Sequence, residues 1–260
     1  MFIDSHVHLD CSAFDPDRDD VLSRAREYNV MQMLVPATDQ ASWAGIRRLC
    51  ATRAEVFPAY GWHPLFLQDN APVNVDALSS WLDTGDAVAV GEIGLDRYRA
   101  TCDVATQMEC FKAQLHIARE RDLPVVVHAL RAVEEVSLAL RAVKGLRGVV
   151  HSFSGSQQQA QRLWDMGFHL GIGGPVTYPR ARRLRQIVAH MPLGSLLLES
   201  DAPDQPDVDH RGQRNEPARV AGIARCIAQL RGETLESLAA ATSANARKLF
   251  GLPLPDASNT

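Results

Sequence analysis

A closed barrel of eight parallel strands surrounded by helices, the (β/α)8 or TIM-barrel class of α/β protein, is the fold that the sequence predicts. Three observations predict it. Short β-branched or apolar runs alternate with longer stretches of helical period, eight times along the chain. The runs are apolar throughout rather than alternating, as in strands buried on both faces. The length of 260 residues also suits such a barrel, which typically takes about 250. No Gly-x-Gly-x-x-Gly follows the first run, which counts against a dinucleotide-binding open sheet.

The first strand covers residues 2–6 and delivers His6 and His8, which lie two apart and so leave the same face. Asp15-Pro16-Asp17 opens a helix to residue 29, with aspartate as cap and proline in the first turn. A second strand (31–35) and a helix (40–52) lead to a third strand, 56–60, which ends in Gly61-Trp62-His63-Pro64. A helix at 75–82 precedes the fourth strand, 87–90, which ends at Gly91-Glu92. A charged loop with Asp96, Arg97, Arg99 and Asp103 then feeds a long helix, 105–121. The fifth strand, 124–127, ends at His128 and is followed by a helix to residue 143. The sixth, 148–150, ends at His151, and Ser152-Phe153-Ser154-Gly155 feeds a helix to residue 166. The seventh is 168–172; a basic helix, 180–190, links it to the eighth, 196–198, which ends at Glu199-Ser200-Asp201. Two helices, 217–231 and 235–249, follow. No Gly/Ser-rich, Pro-rich or charge-run linker divides the chain, so residues 1–252 read as a single domain and 253–260 as a frayed tail.

In a parallel barrel the strand ends converge on one face, where such enzymes place their chemistry. His6, His8, Glu92, His128, His151 and Asp201 all fall there. Any one has an ordinary explanation: a strand-end histidine caps a loop, a strand-end acid pairs with an arginine. Six together point to a metal site. Nitrogen and oxygen donors without cysteine suit divalent zinc, manganese or magnesium. One ion would leave ligands over, whereas two divalent ions bridged by Glu92 use them all, with His6, His8 and Asp201 on one and His128 and His151 on the other. Such a pair activates a shared water and stabilises the attacking and leaving oxygens of a displacement.

Composition bounds the rest. A net charge of −4 speaks against nonspecific coating of nucleic acid, but not against a nuclease with a local patch and metal ions. The five cysteines are scattered without a CxxC pair and read as thiols of a reducing compartment, which places the protein in the cytoplasm. No apolar run approaches bilayer length, and a first strand beginning at residue 2 leaves no room for a signal peptide.

Ile3-Asp4-Ser5-His6-Val7-His8, Gly91-Glu92-Ile93-Gly94-Leu95-Asp96, the run from Leu123 to His128, His151-Ser152-Phe153-Ser154-Gly155 and Leu198-Glu199-Ser200-Asp201-Ala202-Pro203 together form a pattern. With the late Asn245-Ala246-Arg247-Lys248-Leu249-Phe250, it resembles the TatD family of metal-dependent deoxyribonucleases and hydrolases, within the amidohydrolase-like barrels. The resemblance runs over almost the whole chain. It implies a TIM barrel, the six metal ligands named above and hydrolysis of DNA phosphodiesters, and it carries His63 to the substrate-contacting shell. Two positions depart from the pattern. Leu130 stands where many members have an arginine, with Arg131 next, and Leu65-Phe66 follows the His63-Pro64 pair where a polar residue is common. Both thin the polar lining of the mouth and bear on substrate class.

Among further candidates, Glu199 points into the barrel beneath the metals, either as a base or partner to a ligand histidine or as a carboxylate fixed by an arginine. Asp4 has the same relation to His6 and reads as a structural hydrogen-bond acceptor. Arg180, Arg182, Arg183 and Arg185 form either a solvated helix face or a phosphate-steering rim with Arg97, Arg99, Arg211 and Arg214. Ser154 precedes a helix N-terminus that suits a phosphate oxygen as well as it suits simple capping.

The function expected is therefore a monomeric two-metal nuclease acting on DNA, at single strands or ends. Asp201 orients or deprotonates the water, Glu92 bridges, and His63 and Arg131 hold the phosphate. The alternatives are hydrolysis of another ester, an amide, a lactone or an aminoacyl-tRNA ester on the same barrel, and a non-catalytic metal or partner binder.

Overall fold

In the computed structural model, which describes residues 1–68 and 74–254, eight parallel strands stand side by side in chain order. They are β1 (Phe2–Asp4), β2 (Val30–Pro36), β3 (Val56–Tyr60), β4 (Ala89–Asp96), β5 (Val125–Leu130), β6 (Gly148–Val150), β7 (His169–Ile172) and β8 (Leu196–Leu198). Each is followed by a helix: α1 (Arg18–Glu27), α2 (Gln40–Ala51), α3 (Val75–Leu82), α4 (Val104–Glu120), α5 (Val133–Ala142), α6 (Gln157–Asp165), α7 (Arg182–His190) and α8 (Val220–Arg231), with α9 (Leu235–Phe250) last. This is the TIM barrel that the alternation predicts. Among the described residues no helix is long and apolar enough to cross a membrane.

Successive side chains on a strand face opposite ways, and here both faces are buried. Val125 and Val127 of β5 pack outward in the large core shared with the helices. Val126 between them joins Ile3, Leu34, Ala59, Ala89, Val149 and Leu197 in a second core inside the barrel. Ala246, Leu249 and Phe250 of α9 belong to that inner core and cover the end of the barrel away from the strand C-termini. Leu252 is buried there too, and Gln32 Nε2 donates to the Pro253 carbonyl at 2.9 Å. The expected tail thus starts in contact with the barrel; residues 255–260 lie outside the described residues.

The seam between β1 and β8 is held by a few bonds. Ser5 N donates to Leu198 O at 2.9 Å and Asp201 N to His6 O at 2.9 Å. Across it, Asp4 accepts from Ser200 N at 2.9 Å and from Ser200 Oγ at 2.6 Å. Asp4 is fully buried, and burial pushes its carboxyl up to about 7 against these hydrogen bonds. It is the structural acceptor that its position suggests.

Several boundaries differ from those expected. β1 stops at Asp4, so His6 and His8 sit on the loop beyond it. Asp15-Pro16-Asp17 forms a turn, and α1 starts at Arg18, because the Asp17 carboxylate is taken by Arg214 (2.8 and 2.7 Å) and does not cap the helix. β4 does not end at Glu92. It continues to Asp96, since Ile93, Gly94, Leu95 and Asp96 pair with Val127, His128, Ala129 and Leu130. A shift in register between Val90 and Ile93 lies at Glu92, the kind of bulge that re-aims a side chain. Residues 217–219 form a short 3-10 turn, so α8 begins later than the composition indicates, and a turn at 179–180 delays α7 to Arg182.

Candidate metal centre

Glu92 is 2% exposed, and its two carboxylate oxygens face two different groups of histidines. Oε2 lies 3.2 Å from His6 Nε2 and 3.5 Å from His8 Nε2. Asp201 Oδ1 completes that side, 3.6 Å from His6 Nε2 and 3.8 Å from His8 Nε2. Oε1 lies 2.8 Å from His151 Nε2, 3.0 Å from His128 Nδ1 and 3.2 Å from His63 Nε2. Within each group the imidazole nitrogens also face one another: His6 and His8 at 3.3 Å, His128 and His151 at 3.2 Å. The other five expected ligands gather around the Glu92 carboxylate.

The strand ends reach this arrangement through unusual backbone. Arg131, Ser152, Asp201 and Gln205 have φ of 53°, 46°, 56° and 52°. Non-glycine residues in the left-handed region carry local strain and cluster at functional sites. Here they follow β5, β6 and β8, where the chain turns sharply out of the barrel.

The electrostatics fit a cation. Burial works against charge on Glu92, but His63, His151 and His6 outweigh it and hold the carboxyl well below its usual range. Burial likewise opposes charge on His151, yet Glu92 lifts that imidazole to about 10; the same balance raises His128 through Asp96 and Glu92. Burial pushes His6 and His63 down and Asp201 up. Protons on imidazoles thus neutralise the carboxylates in a pocket of nitrogen and oxygen donors. A divalent cation satisfies the same lone pairs, and the donor set contains no sulfur, so the residues fit a divalent cation that takes nitrogen and oxygen ligands.

Hydrogen bonds sort the histidines. His63 Nδ1 accepts from Leu65 N at 3.1 Å, so in the neutral ring Nε2 carries the proton and points at the centre as a donor. His128 is the reverse: Nε2 faces Asp96 Oδ2 at 3.1 Å, leaving Nδ1 toward Glu92. Glu199 is fully buried and pushed up to about 8 by burial. Its Oε1 accepts from Ser152 N at 2.6 Å and lies 3.8 Å from His151 Nδ1. The arginine partner that a structural role suggests is replaced by this backbone amide.

Comparison with known proteins agrees. The family model of TatD related DNases matches residues 3–251. The chain belongs to the TatD family. It is 38% identical over 255 residues to the metal-dependent hydrolase YjjV of Escherichia coli K12, covering 97% of this chain and 98% of that one. The crystal structure of that TatD homologue superposes with a TM-score of 0.90 at 36% identity, covering 97% and 98% of the two chains. It is also 36% identical over 254 residues, 95% and 98% of the two chains, to a protein named 3′-5′ ssDNA/RNA exonuclease TatD from Salmonella typhimurium. The present chain is a metal-dependent hydrolase of the same family.

Around the centre of this TatD-family hydrolase, two groups escaped the sequence analysis. Asp96, which the sequence places in a charged loop, is the buried last residue of β4. The signal was its place in Glu92-Ile93-Gly94-Leu95-Asp96, four beyond a candidate ligand and hence on the same strand face. Gln205 gave no signal; it donates to Asp201 Oδ2 and shares hydrogen bonds with Ser152 Oγ (2.7 and 2.9 Å). The remaining expected contacts lie at the rim. Arg131 is exposed, its guanidinium 4.0 Å from the Tyr98 ring centroid. Ser154 is exposed, and the capping of α6 falls to Ser156 with Gln159, so Ser154 is not needed as a cap. A pocket of about 490 Å³ over the centre has Leu65, Phe66 and Leu130 in its walls.

Proposed function

We propose that this hydrolase cleaves phosphodiester bonds of single-stranded DNA, at strand ends, with two divalent ions held on either side of Glu92. His6, His8 and Asp201 would hold one ion and His128 and His151 the other. The observation that carries the reading is the division of the Glu92 carboxylate, one oxygen to each group of histidines. The name of the Salmonella relative supports the choice of polynucleotide. When bound, such ions would neutralise charge developing on the scissile group and lower the pKa of the attacking water.

The chain's own groups do the rest. His63 is kept neutral by burial and offers Nε2–H to a phosphate oxygen. Asp201, held at Oδ2 by Gln205, presents Oδ1 to the attacking water, orients it and accepts its proton. Glu199 sits behind His151 and keeps its ring in place through Ser152. Arg131 and Ser154 meet the strand at the rim. The apolar Leu65, Phe66 and Leu130 favour a second reading, hydrolysis of a carboxylic ester, lactone, amide or aminoacyl-tRNA ester in the same pocket.

The test is a metal-reconstituted panel of end-labelled single-stranded DNA, duplex DNA, RNA, small esters, lactones and charged tRNA. Shortening of single-stranded DNA, abolished by Glu92→Ala, is the expected result. Turnover of only the carboxyl substrates would replace the first reading by the second, and DNA cleavage persisting in the Glu92→Ala protein would overturn the mechanism.

A further inference from the structure

A second cavity, of about 740 Å³, adjoins the pocket over the metal centre and shares Arg99, Leu130, Ser152, Ser154 and Gln205 with it. Among the described residues its walls hold five arginines, Arg99, Arg131, Arg180, Arg182 and Arg183, and no Asp or Glu. All five are exposed. The chain as a whole is acidic, with a net charge of −4, so this is a local concentration of one sign rather than a general excess.

The structure separates these residues from three other arginines of the basic segments. Arg97 is paired with Glu135 and Arg214 with Asp17. Arg185 turns inward to the Val176 carbonyl at 2.9 Å. Within the cavity, Arg183 donates to the Ser154 carbonyl at 3.1 Å, and Arg131 lies over the Tyr98 ring. Five guanidinium groups around one concavity repel one another, and such an arrangement favours an anionic occupant by focusing potential. Guanidinium forks match phosphate oxygens in geometry as well as charge. Tyr98, 62% exposed at the same wall, offers a ring face on which a nucleobase stacks, and stacking of this kind tolerates any base. The cavity is in the size range of small-molecule pockets and too roomy for a lone phosphate.

We infer that the cavity is a strand-binding subsite: it takes the phosphates of the polynucleotide next to the scissile one, with Tyr98 stacking a base, so that the enzyme selects a strand of several nucleotides over a dinucleotide. The inference rests on the nuclease reading above and names the part of the substrate which that reading leaves unplaced.

Equilibrium binding of fluorescent, phosphorothioate-linked oligothymidylates of two, five and ten nucleotides to the metal-loaded protein tests it, across a range of salt. Affinity should rise from two to ten nucleotides. In Arg180→Ala/Arg182→Ala the slope of log K against log salt for the ten-mer should shrink by about 1.4, the loss of two single-strand phosphate contacts, with no change for the dinucleotide. The control Arg141→Ala/Arg225→Ala removes two exposed arginines elsewhere and should leave the ten-mer slope as it is. Length-dependent binding that the Arg180/Arg182 variant does not alter, or that the control alters equally, overturns the subsite and leaves the nuclease reading standing. DNA cleavage accompanied by binding that does not depend on length does the same. A native protein that neither binds nor cleaves any oligonucleotide overturns both.

Discussion

Asp96 Oδ2 and His128 Nε2 stand 3.1 Å apart in a part-buried hydrogen bond that fixes which nitrogen of the imidazole faces the metal centre. The carboxylate is held below its usual range: burial opposes its charge, but His128 and the backbone amides of Arg99 and Tyr98 outweigh burial. It can only accept, so Nε2 must donate and the Nδ1 lone pair is left toward Glu92. In Asp96→Asn, Oδ1 can still accept from Tyr98 N and Arg99 N, now at 2.7 and 2.6 Å. The new amide, however, meets Nε2–H with a second donor. Metal affinity, read by competition with a chromogenic chelator, should fall about 10–100-fold, as for other partners of metal-bound histidines. Unchanged affinity in a folded variant would remove Asp96 from the centre's support.

Gly171 and Glu199 make a second such pair. A Cβ at Gly171 would stand 2.0 Å from Glu199 Oε2, inside a barrel with no slack to absorb it. Gly171→Ala should therefore cost about 1–3 kcal/mol in urea unfolding, by overpacking and by straining the bond to Ser152 N. Glu199→Gln keeps the shape and should unfold near the native midpoint while losing activity. If Gly171→Ala is as stable as the native protein, the carboxylate is not held where it stands.

How much of this was legible follows from what each signal depends on. Strands such as 125–127 are read from composition, because a strand buried on both faces must be apolar, and the gathering of the six candidate ligands on one face follows from parallel topology. What escaped depends on neighbours. β4 runs to Asp96 because β5 is beside it, and the charges after Glu92 disguised that. Asp17 loses its role as cap to Arg214, which is 197 positions away. Gln205 is an ordinary loop glutamine until the turn after β8 brings it to Asp201. The arginines of 180–185 look alike in sequence; only the fold sends Arg185 inward and the others to the cavity.

Metal uptake should release protons. In the metal-free protein His151 is lifted to about 10 through Glu92, and His128 is raised through Asp96 and Glu92. At pH 7 the His151 imidazole holds a proton that a divalent cation must displace, and the raised His128 adds to the same competition. Apparent affinity should thus rise with pH, and uptake in weak buffer should acidify the solution. For the metal-free fold the sign runs the other way. A histidine raised from 6.5 to about 10 contributes fully below pH 6.5 and is lost as pH climbs through 10. Glu92, held below its ordinary 4.5, contributes above that value and is lost on acidification below it. Alkaline thermal denaturation should therefore separate the metal-free from the metal-loaded protein more widely at pH 9 than at pH 6. An affinity independent of pH would contradict this account of the histidines.

The seam at Asp4 predicts a link between stability and the centre. Asp4 Oδ1 accepts from Ser200 N and from His6 N at 3.2 Å, while Oδ2 takes the Ser200 hydroxyl. One buried carboxyl therefore joins the start of the His6 loop to the turn that carries Asp201. Asp4→Ala leaves these donors without a partner and should cost about 2–4 kcal/mol. It should also weaken metal binding, because His6 and Asp201 belong to the same side of Glu92. Asp4→Asn retains an acceptor for both amides, and its NH2 can donate to Ser200 Oγ, so it should recover most of the stability and the metal affinity together. Chemical denaturation and chelator competition on the two variants decide the matter. Recovery of stability without recovery of affinity would mean that the seam holds the barrel but does not place the ligands.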